Sequence, residues 1–173
     1  MNNNTFDDKT HICAFTGHRP ERLPFSEPEV RAWLEKEIRL AIDKGFSTFI
    51  SGMQRGVDLW AAETVLRLRD VGENIRLVAA VPFRGMESRW DADWKNRYDQ
   101  VLQKADQVTV ISSGPGRVAF FLRNHYMVDR ASRLLAVCGG GGGTLETMNY
   151  AKKKGVEVIE YSAVNTADPS SLC

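Results

Sequence analysis

The sequence is short of the features that mark several large classes of protein. Its 173 residues contain three cysteines, Cys13, Cys138 and Cys173, an odd number without metal-ligand spacing. That argues against a disulfide framework or a zinc site, so no metal is expected, and it fits a reducing cytosol. No window approaches the apolar length of a transmembrane span, and no sign of charge dominates: 23 basic and 22 acidic side chains leave a net charge of +1. No membrane partner is therefore expected, and the lack of a basic stripe disfavours nucleic acid as a partner. The opening Met1-Asn2-Asn3-Asn4-Thr5-Phe6-Asp7-Asp8 has neither a positive n-region nor an apolar h-region, so no signal peptide is expected and a cytoplasmic location is.

What is present is a regular alternation. A hydrophobic fraction of 43% over this length supplies one ordinary domain with a full core. Short apolar runs at 11–17, 46–50, 75–81, 107–111, 134–137 and 156–161 read as strands. Between them, helical spacing covers 28–44, the stretch from the Ser51–Asp58 turn to residue 70, 91–104, 120–133, and the segment that ends in Lys152-Lys153-Lys154. Strand and helix alternating throughout predict a single α/β domain over 11–161, between a flexible segment 1–10 and a loose tail 162–173. Its fold is expected to be a Rossmann-like, doubly wound and mainly parallel sheet with helices on both faces.

In such sheets ligands gather outside the carboxyl ends of the strands. Leu134-Leu135-Ala136-Val137-Cys138 runs into five glycines and then Thr144-Leu145-Glu146, a strand, a glycine turn and a helix start. Helix N-termini present unpaired N–H groups, and glycines let an anion approach the backbone without meeting a Cβ. Gly140, Gly141, Gly142, Gly143 and Thr144 are therefore candidate phosphate contacts. Gly17-His18-Arg19-Pro20 leaves the first strand, where Arg19 suits a phosphate and His18 can donate or act as acid or base. Ser51, Gly52, Gly56 and Asp58 make a third such turn, with Asp58 either accepting from hydroxyls or simply favouring the helix dipole. Arg84 follows the third strand. Trp90 either stacks on a base or anchors the next helix, and Asn124 and Asp129 lie on a helix whose polar face can reach a cleft.

The glycine run lacks the lysine of a P-loop, and the first βα turn lacks GxGxxG, so Mg-dependent phosphoryl transfer is poorly supported. Gly17-His18-Arg19-Pro20, Ser51-Gly52, Gly56-Val57-Asp58-Leu59-Trp60-Ala61-Ala62-Glu63, Pro82-Phe83 with Trp90, and Asn124 through Met127-Val128-Asp129-Arg130 together resemble the YpsA-like (DUF1273) branch of the SLOG superfamily. The resemblance spans residues 12–161. It implies a Rossmann-like fold that holds a nucleotide-derived ligand, such as ADP-ribose or an NAD-like molecule, as a sensor or regulator. It adds Trp60 and Trp90 to the implied pocket residues, beside Gly56 and Asp58. The superfamily also holds the DNA-processing DprA proteins and the LOG-type phosphoribohydrolases, whose motifs read PGGxGTxxE and MxxRK. Here Gly139 replaces the proline, Thr147 stands where the catalytic glutamate is expected, and Ala131 replaces the lysine. An N-glycosidic hydrolase is thus the alternative expectation, with Asp58, Glu146 and Arg130 as candidate catalytic residues. No cofactor beyond the nucleotide-like ligand is implied, and a homo-oligomer or protein partner stays open.

Overall fold

Six strands form one sheet because each is a short run of β-branched, aliphatic or aromatic residues closed by a glycine, a proline or a polar turn. The structure, a computed structural model, describes residues 8–163. The strands are β1 Ile12–Gly17, β2 Thr48–Ser51, β3 Arg76–Val81, β4 Gln107–Val110, β5 Arg133–Val137 and β6 Glu157–Glu160. The helices are α1 Glu27–Asp43, α2 Val57–Asp70, α3 Ala92–Lys104, α4 Arg117–Arg130 and α5 Gly142–Lys153. The strand order is β4-β3-β2-β1-β5-β6, and all five pairings are parallel. The order reverses between β1 and β5, which puts the topological switch point there.

The period-2 alternation of β1 sorts the core into two layers. Cys13 and Phe15 join Leu34, Ile38, Trp60, Leu77 and Val101 under α1, α2 and α3. Ile12 and Ala14 join Met127, Val128, Leu134 and Met148 under α4 and α5. The sheet is therefore covered on both faces, as the alternating pattern predicts. The expected flexible head lies outside the described residues for positions 1–7, while Asp8 caps a short 3-10 turn, Lys9–His11, by accepting from Thr10 N. Of the expected tail, positions 164–173 lie outside the described residues.

One boundary moved because a charged residue is buried. The sequence pattern runs the fourth helix over 120–133, but α4 starts at Arg117 and stops at Arg130. Arg133 instead opens β5, 4% exposed, with Nη2 2.7 Å from Glu157 and its guanidinium 4.6 Å from the centroid of Phe46. An arginine satisfied in this way fits a buried strand that its charge alone argues against.

Candidate functional site

The glycine turn after β5 crosses the switch point and is pinned there by His18. Gly139 N donates to His18 Nδ1 at 2.8 Å, which leaves Nε2 as the protonated nitrogen donating to the Gly141 carbonyl at 3.0 Å. Burial holds the His18 imidazole below its ordinary pKa, with the Gly141 hydrogen bond opposing and the charges of Arg22 and Arg19 reinforcing the shift. The neutral ring is the form this turn needs. The chain enters α5 through Gly140, Gly141 and Gly142 at φ of +107°, +62° and +66°, a left-handed run that only glycine adopts without strain. The helix therefore starts two residues before Thr144, with Gly141 as N-cap and no side chain bonded to its first amides. Thr144 is buried within the helix rather than capping it.

The β2–α2 turn is built on a second buried arrangement. Ser51 Oγ donates to the Asp58 carbonyl at 2.8 Å and accepts from Met53 N at 3.2 Å, while Asp58 Oδ2 accepts from Gln54 N at 3.3 Å. Asp58 and Arg123 of α4 face each other at 3.8 Å, 4% and 7% exposed, and Arg123 Nη1 also donates to the Gly52 carbonyl. Asp58 Oδ1 is buried with no donor among the described residues. Burial pushes the Asp58 carboxyl up to about 6 against the pull of Arg123, and burial lowers Arg123 in turn. Gly52 has no Cβ because one would lie 2.6 Å from Arg123 Nη1 and 2.8 Å from Asp58 Oδ2. Gly17 and Gly56 are likewise fixed by close approach, to the Val57 side chain and to the backbone of His18. Ser51, Gly52, Gly56 and Asp58 thus shape the turn from within.

Beside these turns a cleft of about 620 Å³ opens between α4 and α5. Its floor is Gly142 and Gly143, and Thr147 closes the first turn of α5 by donating its hydroxyl to the Gly143 carbonyl at 2.7 Å. Arg19 and Gln54 come from the β1 and β2 exits. Arg117, Phe120, Phe121, Asn124 and His125 come from α4, and Glu146 supplies a carboxylate from α5. Arg22 adds a further cation nearby, its Nη1 3.2 Å from where a Gly142 Cβ would stand. Arg117 sits on the first turn of α4, where the macrodipole disfavours a cation, so a bound anion there would relieve the mismatch.

Of the sequence candidates, Arg19, Asn124, Gly142, Gly143 and Glu146 line this cleft, with Gly140 and Gly141 in the exposed turn beside it. Others stand elsewhere. Trp60 is 2% exposed in the core with its ring 6.4 Å from Trp94, so it lies inside the protein rather than at a pocket wall. Trp90 packs edge-on against Tyr98 at 5.6 Å, the anchoring role, and Arg84 is exposed in the loop after β3. Asp129 accepts from Tyr150 Oη at 2.8 Å on the outer α4–α5 seam, and Arg130 lies over its own Tyr126 ring at 3.7 Å. Gln54, Arg117, Phe120, Phe121 and His125 escaped the sequence reading. The i, i+4 spacing of Phe121 and His125, on a helix whose inner face is already filled, was the signal available for two of them.

A parallel sheet in this order, with a glycine turn at the switch point, defines a Rossmann-like α/β protein. Within that class the chain belongs to the YspA SLOG family, whose model matches residues 13–162. It is similar to a UPF0398 protein of Halalkalibacterium halodurans, 33% identical over 75% of this chain and 67% of that protein. It is also similar to a UPF0398 protein of Bacillus cereus, 28% identical over 87% of this chain and 86% of that one. Among solved structures it shares its fold with DNA processing protein A from Helicobacter pylori, at a TM-score of 0.64 and 17% identity, covering 94% of this chain and 71% of that one. That protein is described by its single-stranded DNA binding mode. The expectation that disfavoured nucleic acid is corrected by this finding, since the fold this chain shares is one on which single-stranded DNA binding is described. Among the described residues no helix is long and apolar enough to cross a membrane.

Proposed function

We propose that the cleft between α4 and α5 binds a phosphate-bearing, nucleotide-derived ligand of the ADP-ribose or NAD-like class, and that the protein acts as a cytoplasmic sensor or regulator of it. One observation carries the reading: the uncapped N-terminus of α5, Arg19 and Arg117 open into the same cavity, whose other wall is aromatic. Free amides and arginines suit phosphate, Phe120 and Phe121 suit a base, and Asn124, Gln54 and Glu146 offer polar groups to a ribose. The volume of about 620 Å³ falls within the ordinary range for small-molecule sites.

Calorimetric titration with ADP-ribose, NAD, AMP and ribose 5-phosphate tests it, with each mixture then chromatographed for cleavage products. Binding without products, weakened about tenfold or more by Arg19→Ala, is expected; no binding of any of the four sinks the reading. Glu146 favours one second reading, because it places a carboxylate in the cleft as N-glycosidic hydrolysis requires. Base release that is abolished by Glu146→Gln would establish that activity in place of a pure sensor.

A further inference from the structure

Phe121 is 52% exposed on α4, although large aromatic side chains ordinarily bury most of their surface. It is held in place on one side. Its ring centroid lies 3.9 Å from that of His125, and His125 stacks on Tyr150 of α5 at 3.6 Å and 14° between planes. The far end of this column is fixed, because Tyr150 Oη donates to Asp129 at 2.8 Å and Lys154 Nζ stands 3.7 Å from the same carboxylate and 5.3 Å from the Tyr150 centroid. Three rings therefore form a preorganised column, stacked between His125 and Tyr150 and tilted by 40° between Phe121 and His125, closed at the Tyr150 end and open at Phe121. The open end borders the cleft, with Val118, 68% exposed, as an apolar lip one turn earlier on α4.

We infer that the free face of Phe121 is a nucleobase subsite, where a planar heterocycle stacks as the next ring of the Phe121–His125–Tyr150 column while the ligand's phosphate lies at the start of α5. This rests on the reading of the cleft given above and deepens it: of the two aromatic residues of the wall, Phe120 is engaged edge-on by Phe83, and Phe121 is the one that takes the base. An aliphatic group would gain only contact area from this position, whereas a heterocycle also gains the offset π contact that a rigid stack offers without further ordering. Base-on-aromatic stacking tolerates every base, so the subsite selects for the presence of a base more than for its identity.

The test compares AMP with ribose 5-phosphate, which share the phosphate and ribose and differ by the base. Wild type should bind AMP about tenfold tighter than ribose 5-phosphate. Phe121→Ala should abolish that preference and leave ribose 5-phosphate affinity unchanged, and Phe121→Tyr, which keeps the ring, should retain it. Equal affinities in wild type, or a preference that survives Phe121→Ala, overturns the subsite while leaving the phosphate cleft standing. Failure of wild type to bind either compound removes the cleft itself. A change of molecular mass in sedimentation with Phe121→Ala, beside an intact preference, would show the face to be a contact between copies and overturn the inference.

Discussion

At the scale of single residues, the two turns that border the cleft are each held by one buried polar side chain whose protonation matters. His18 bonds the turn after β5 through both ring nitrogens, so His18→Ala leaves a Gly139 amide and a Gly141 carbonyl unpaired. The expected cost is about 1–3 kcal/mol by denaturant titration, with faster amide exchange at Gly139. Gly52→Ala is a steric test: the position does not use a left-handed backbone, yet its Cβ would meet both members of the Asp58–Arg123 pair. It should cost about 1–3 kcal/mol, and an unchanged midpoint would show that the pair moves aside freely. The two groups also give opposite pH dependences. The folded His18 takes up its proton at lower pH than the unfolded chain, so its contribution is complete above about pH 6.5 and falls as the solution is acidified. Asp58, pushed up to about 6 from an ordinary 3.8, binds its proton more readily when folded, so its contribution grows as pH falls from 6 towards 4. Asp58→Asn removes that gain. Its melting temperature should therefore drop more steeply than that of wild type between pH 6.5 and 4.5, and parallel profiles would refute the assignment.

At the scale of elements, α1, α2 and α3 are joined by a half-buried charge cluster on the face opposite α4 and α5. Glu63 of α2 receives Arg31 of α1 at 2.6 Å and Arg97 of α3 at 2.7 Å, while Arg97 also reaches Glu27 at 3.1 Å. Burial raises the Glu63 carboxyl, but the hydrogen bonds from Arg97 and Arg31 outweigh it and leave the group below its ordinary 4.5. The stabilisation is thus present above about pH 4.5 and lost as pH falls through the lowered value. Glu63→Gln should lower stability by about 1–3 kcal/mol at pH 7. It should leave AMP affinity within twofold of wild type, because none of these residues lines the cleft. A large loss of binding would mean that the packing of α1–α3 controls the site across the sheet. The element scale is also where the sequence was most legible. Short apolar runs and the 3.6 period located every strand and α-helix, and the largest errors at helix ends fell at α4 and α5, where a paired Arg133 looks helical and positive-φ glycines look like a loop.

At the scale of the whole molecule, composition misled where position mattered. A net charge of +1 is an average over the surface, and it conceals that Arg19, Arg22 and Arg117 gather near the cleft, the last two without a carboxylate partner among the described residues. The glycine turns and Arg19 could be read from sequence because each lies directly at a strand exit, a local pattern. The aromatic wall could not, because it depends on which way α4 faces once it packs on α5. Asn124 meets the cleft, while Asp129 and Arg130, five and six positions further at about 100° per residue, turn away from it. The same distinction between total and local charge bears on nucleic acid. A single strand entering this cleft meets at most these three arginines, and each phosphate contact on single strands contributes about 0.7 to the slope of log affinity against log salt. Oligonucleotide binding at the cleft should therefore show a slope no steeper than about −2 and should be displaced by AMP. A steeper slope, or a strand that AMP does not displace, would place the strand on another face of the sheet and separate strand binding from the nucleotide site proposed at the cleft.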